Sequence, residues 1–161
     1  MANRYWVGGT NTWNSTAGTK WATTSGGGGG ASAPSTADTA IFDGNSGSGV
    51  ITRTATTTVY FVHLTVDFTG TFVMGSDLNT NALTILGGVF DANDFDISMT
   101  GSFNSSGTTT REIRTGNGTL TFKSQAFSMQ SVDNATIVDE GATWVFDFTA
   151  AFQSAIQVVC R

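Results

Sequence analysis

The chain has 161 residues, enough for one domain with its own core, and only 12% of them are charged. A net charge of −5, with Lys20 and Lys123 as the two lysines, argues against a nucleic-acid footprint and against binding to anionic membranes. Low charge combined with 11% aromatic residues also argues against a disordered chain, and no apolar run is long enough to span a bilayer.

The first stretch, "WVGGTNTWNSTAGTKW", spaces Trp6, Trp13 and Trp21 through Gly, Thr, Asn and Ser with neither helical nor strand periodicity. Five glycines follow, Gly26 to Gly30, then "ASAPSTADTAIFDGNSGSG" with an apolar patch at Ala40, Ile41 and Phe42. Glycine runs usually make flexible linkers. Large rings left in water are a poor state, so this segment is expected to fold back as a cap. Residues 1–50 are therefore assigned to an irregular N-terminal cap or docking segment and 51–161 to a β-solenoid body.

From residue 51 the texture changes. "VITRTATTTVYFVHLTV" is dense in β-branched and aromatic residues, as strands are. A loose repeat runs on from there, an apolar–Thr/Ser–apolar triplet followed by a small residue and a phenylalanine. It reads Leu64-Thr65-Val66 with Phe72, Leu83-Thr84-Ile85 with Phe90, Ile97-Ser98-Met99 with Phe103, and Leu120-Thr121-Phe122 with Phe127. The phenylalanines step by 18, 13 and 24 residues. Triplets recurring at about one coil's length favour an all-β, short, single-stranded parallel β-helix, or solenoid. A β-sandwich or jelly roll is the alternative, but hairpin dipeptides are scarce. "FDFTAAFQSAIQVV" reads equally as strand or helix.

The segment "RYWVGGTNTWNSTAGTKWATTSGGGGGASAPSTADTAIFDGNSGSG" resembles an N-terminal segment of virion-associated proteins of tailed bacteriophages, and "TTTREIRTGNGTLTF" resembles another part of them. A distant similarity to autotransporter-type β-helical repeats lies in the same Trp, Pro and Asp arrangement. The resemblance implies a non-enzymatic β-solenoid on the outside of a particle, with no catalytic motif to carry over. The start "MANRYWVGGT" has no apolar stretch or cleavage site of a secretory signal, which fits a virion assembled in the host cytoplasm.

Several residues invite chemistry. Gly26–Gly30 lacks the following Lys-Ser/Thr and helix of a phosphate loop. Asp91, Asn93, Asp94 and Asp96, like Asp43 and Asn45, offer oxygen ligands at alternate positions, yet the bidentate glutamate of a calcium loop is missing and these are ordinary corner residues. Asp139 and Glu140 are adjacent and would point to opposite faces of a strand, whereas Asp94 and Asp96 could share one. His63 is the lone imidazole, and in an apolar strand it reads as a core or subunit-contact residue. Cys160 has no disulfide partner. Trp6, Trp13, Trp21 and Trp144 are alternatively platforms for sugar rings.

The expectation is a non-enzymatic virion structural protein, a capsid decoration (cement) protein first, with a tail or fibre component or a glycan-binding adhesin as alternatives. No cofactor, metal, nucleic acid or membrane partner is expected. Capsid or tail proteins and further copies of the chain are the expected partners, with a host-surface glycan as the alternative. The contact or capping residues are Trp6, Trp13 and Trp21 at one end and Ile156, Val158 and Val159 at the other.

Overall fold

The structure, a computed structural model, describes residues 1–16, 18–123, 126–129 and 134–147. Its strands in chain order are β1 (Ala2–Trp6), β2 (Asn11–Trp13), β3 (Trp21–Ala22), β4 (Asp38–Phe42), β5 (Val50–Arg53), β6 (Val59–Leu64), β7 (Thr71–Met74) and β8 (Leu78–Ile85). They continue as β9 (Gly88–Asp91), β10 (Ile97–Met99), β11 (Phe103–Asn104), β12 (Arg111–Arg114), β13 (Thr119–Phe122), β14 (Phe127–Ser128), β15 (Ala135–Val138) and β16 (Thr143–Phe146).

Successive strands alternate between two sheets except at β3–β4, β10–β11 and β13–β14, where both members belong to sheet A. Sheet A runs β16-β13-β10-β8-β6-β4-β1-β3, with β11 pairing β8 and β14, and sheet B runs β15-β12-β9-β7-β5-β2. Every pairing is parallel except that of β3 with β1. Each circuit thus lies on the one before, the expected β-solenoid. Parallel stacking buries the inward face of both sheets, so alternate residues such as Ile51, Phe72, Phe90 and Ile113 line one continuous core.

The expected division at residue 50 falls inside this stack. β4 pairs with β6, and β2 with β5, so residues 2–42 already supply rungs. What departs from the coil pattern is the excursion between β2 and β4. There β3 returns antiparallel along the outer edge of β1, setting Trp6 opposite Trp21. An edge strand exposes unpaired N–H and C=O groups, and β3 occupies part of that edge.

The register corrects the sequence repeat. Phe72 does pair with Phe90, but Phe90 pairs next with Ile113. Phe103 belongs to sheet A, between Leu83 and Phe127. The uneven 13-residue step from Phe90 to Phe103 is a crossing between sheets, and the true coil step in that region is longer. Likewise Leu64 aligns with Ile85, and Leu83 with Val62, so the first two triplets are not equivalent.

Sheet A is folded along its length. In a flat strand, residues three apart point to opposite faces. Yet Val59 and Val62 are both buried, as are Thr80 and Leu83. On the next coil β8 is faced by two strands: Leu78–Thr80 pairs with β10, and Leu83–Thr84 with β11. Two residues, Asn81 and Ala82, then oppose three, Thr100 to Ser102, which is the count of a bulge. A Cβ on Gly101 would lie 2.6 Å from Asn81 Oδ1, so a glycine lets this bend close.

Candidate functional site

The three tryptophans meet at the first end of the stack. Trp21 stands edge-on to both Trp6 and Trp13, with ring centroids 5.1 Å apart in each case, and Phe42 lies 5.7 Å from Trp21. All three are buried, so they fill the end of the core and are not platforms for sugar. Trp144 is half-buried and stacks on Phe122 at 5.7 Å. The glycine run folds against this plug, with the Ala31 N–H donating to Trp21 O at 2.9 Å. Gly29 has φ +79°, and a Cβ there would sit 2.2 Å from Thr19 O, so only glycine fits. No helix follows the run, whose chain proceeds to β4.

Several Asp and Asn residues of the corners are engaged with a neighbouring coil, whereas Asp43 and Asp91 accept from their own turns. Asp94 Oδ1 accepts from the backbone N–H of Asn117 at 2.8 Å and from its Nδ2 at 3.0 Å. Asp96 Oδ1 accepts from Thr119 N–H at 2.7 Å, and Asp77 Oδ1 from Asp96 N–H at 3.0 Å. Asn93 and Asp94 take positive φ, 47° and 66°, a turn conformation these two residue types tolerate. Asp139 Oδ1 accepts from the Thr115 hydroxyl and from the N–H groups of Gly141 and Ala142. Backbone donors from Gly141, then that hydroxyl, hold the Asp139 carboxyl below its usual range. Asp43 caps the short 3-10 turn Gly44–Ser46, and Asn45 Nδ2 donates to the Ser25 hydroxyl at 2.8 Å. Among the described residues no three His, Cys, Asp or Glu side chains gather as a metal centre would.

Sequence reading missed two buried arginines. Arg53 is 0% exposed on the inward face of β5, 5.1 Å from the centroid of the Trp13 ring. Its guanidinium donates to Ser76 Oγ, Asp77 O and Thr57 O at 3.1, 3.1 and 2.8 Å. Burial without a carboxylate pushes its pKa down to about 10, so it stays charged at neutral pH. Arg111 repeats the device on β12, donating to Ser105 Oγ and to the carbonyls of Ser105, Gly107 and Thr109. The signal was present: Arg53 alternates with Ile51, and Arg111 with Ile113, so each shares the face of a core residue.

His63 does not enter the core. It sits half-buried on the outer face of β6, in register with Ile41 on one side and Thr84 on the other. Burial lowers its pKa, and among the described residues Nε2 has no hydrogen-bond partner. Ile156, Val158, Val159 and Cys160, and most of "FDFTAAFQSAIQVV", lie outside the described residues.

Two recesses of the surface are lined by described residues. One is a notch of about 400 Å³ beside sheet B. It is lined by Val66, Phe68 and Thr69, by Gly88 just after the two-residue link from β8 to β9, and by Thr109 to Glu112. The other is a groove of about 280 Å³ along the bend of sheet A, lined by Tyr60, Asn79, Asn81, Ser98, Thr100 and Lys123 among others.

Fold and surface together define a short parallel β-solenoid whose corners are clamped by buried arginines and whose first end is plugged by tryptophan. No protein-family model, curated protein or solved structure matches the chain.

Proposed function

We propose that the protein is a non-enzymatic structural component of a tailed-bacteriophage particle, a decoration subunit held on the capsid through its flank. The observation that carries the reading is the outer face of sheet B. On β2, β5 and β7 the outward residues are Thr12, Val50, Thr52, Thr71 and Val73, followed by Val89 on β9. All are β-branched and uncharged; charge enters only with Asp91, Glu112 and Arg114 further along. Val50 is 46% exposed, and Val66, on the rim of the adjoining notch, is 54% exposed. A pleated β-branched face beside a recess suits burial against another subunit, and such burial strengthens a shell without any chemistry. The resemblance of the first fifty residues and of residues 108–122 to virion-associated proteins supports the same location.

The test is to purify phage particles from cells carrying the coding sequence and to count copies of the chain by quantitative mass spectrometry. A copy number close to that of the major capsid protein is expected. A few copies per particle would instead make it a tail or fibre component, and its absence would overturn the virion reading. The paired substitution Val50→Lys and Val66→Lys should keep the fold but remove the chain from the particle. If that variant remains bound, the flank is not the docking face.

A further inference from the structure

We infer that the groove along the bend of sheet A is a binding site for an oligosaccharide lying parallel to the solenoid axis, with an acidic substituent at its Lys123 end. The inference goes beyond the structural role and does not depend on where the protein is mounted.

The register builds the groove in two rows. Asn79 pairs with Ser98, which pairs with Thr121, so one row of short polar side chains crosses successive coils. The second row follows the bend. Val59 pairs with Thr80, Thr80 with Met99, and Met99 with Phe122, which brings the next residue of each, Tyr60, Asn81, Thr100 and Lys123, into line. The buried Thr80 hydroxyl ties the floor across coils, its single hydrogen lying within reach of Tyr60 O at 2.9 Å and Ala82 O at 3.1 Å. The Tyr60 ring is braced by Phe61, with centroids 4.6 Å apart.

These side chains differ from the polar groups of the corners. There Asp77, Asn93, Asp94 and Asp96 are tied to a neighbouring coil. In the groove the Tyr60 hydroxyl, the Asn79 amide, the Ser98 hydroxyl and the Lys123 ammonium make no hydrogen bond to any described residue. The exception is a long contact of 3.4 Å from Asn81 Nδ2 to Thr100 Oγ1.

Amides and hydroxyls each offer both donors and acceptors, as a sugar's hydroxyls require. One ring edge or face at Tyr60 provides apolar contact for a pyranose. A polyanion is disfavoured because, among the described residues, Lys123 is the one cation lining the groove, and an apolar peptide because the described lining is mostly polar. The polar set recurs at each coil, about 4.8 Å apart, and a pyranose unit is about as long as one such step. A chain of repeating hydroxylated units along the axis therefore meets similar chemistry at every step.

The experiment presents the full-length protein to an array of purified acidic and neutral bacterial surface oligosaccharides, with saturation-transfer NMR on whatever is retained. Acidic oligosaccharides should be retained. Tyr60→Ala should weaken retention about tenfold, and Ser98→Tyr, which fills the groove, should abolish it. Ser15→Tyr, in the exposed loop after β2, is the control and should leave retention unchanged. Matching circular dichroism spectra for all variants separate loss of binding from loss of fold. Retention of no oligosaccharide overturns the inference, as does retention that survives Tyr60→Ala and Ser98→Tyr alike.

Discussion

At the scale of single residues, the buried cations and the half-buried imidazole show how this chain manages polarity. A charge removed from water is costly unless its hydrogen bonds are replaced. Arg53 meets this with carbonyls and a serine hydroxyl and ties its corner to the next coil at Ser76 and Asp77, while Arg111 braces its own corner through Ser105, Gly107 and Thr109. His63 is different, since burial favours its neutral form. Its folded pKa lies below the ordinary value of 6.5, so below that value the unfolded chain binds more protons than the folded one. Stability is then fully present above pH 6.5 and falls as the pH drops through the histidine range. Asp67, lowered first by the hydroxyl of Thr65, and Asp139 titrate below the usual carboxylate value of 3.8, outside this window. Thermal unfolding should therefore move to lower temperature between pH 7.5 and 5.5, and His63→Gln should remove most of that shift. An equal shift in the variant would assign the effect elsewhere.

At the scale of elements, strands of two to eight residues would be marginal alone. Each is fixed by its neighbours, and the corners carry as much of the register as the strands do. The Asp94–Asn117 contact is one such tie between successive coils. Asp94→Gly keeps the positive φ and loses the contacts, which should cost about 1 kcal/mol. Asp94→Ala adds the strain of a left-handed residue and should cost about 2 kcal/mol. Denaturant unfolding of the two variants measures the difference. Equal stabilities would mean that the turn relaxes when its carboxylate is removed.

For the whole molecule, a solenoid is close to a one-dimensional chain of contacts, because each coil touches chiefly its neighbours. Its ends are then the places where it opens. Trp13 joins the end plug to the stack, with Phe42 5.9 Å and Phe72 6.0 Å from its ring and Arg53 against its face. Trp13→Ala should cost about 3–5 kcal/mol. Hydrogen exchange should quicken first in β1, β2 and β4, while β8 and β10 remain protected. Uniform acceleration along the chain would show that the coils unfold as a single unit.

Much of the architecture was legible before any coordinates. The density of β-branched residues, the scarcity of hairpin turns and the recurring triplets pointed to stacked strands, because these are local properties of the chain. The burial of Trp6, Trp13 and Trp21 was legible too, since large rings avoid water wherever the backbone allows. Pairing was not legible, because the steps between paired residues vary with the length of each corner. Only the register separated the Phe72–Phe90 row from the Phe103–Phe127 row. The bend in sheet A was equally hidden, since it rests on two residues opposing three across a pair of coils. The groove at that bend brings Tyr60, Asn81, Thr100 and Lys123 together from positions far apart in sequence, and nothing local marks them as neighbours. The sequence by itself pointed to stacked strands around an aromatic core, because β-branched and aromatic density and the scarcity of hairpin turns are local properties of the chain. Which side chains share a face was decided only by tertiary structure, because that depends on the cumulative length of every turn.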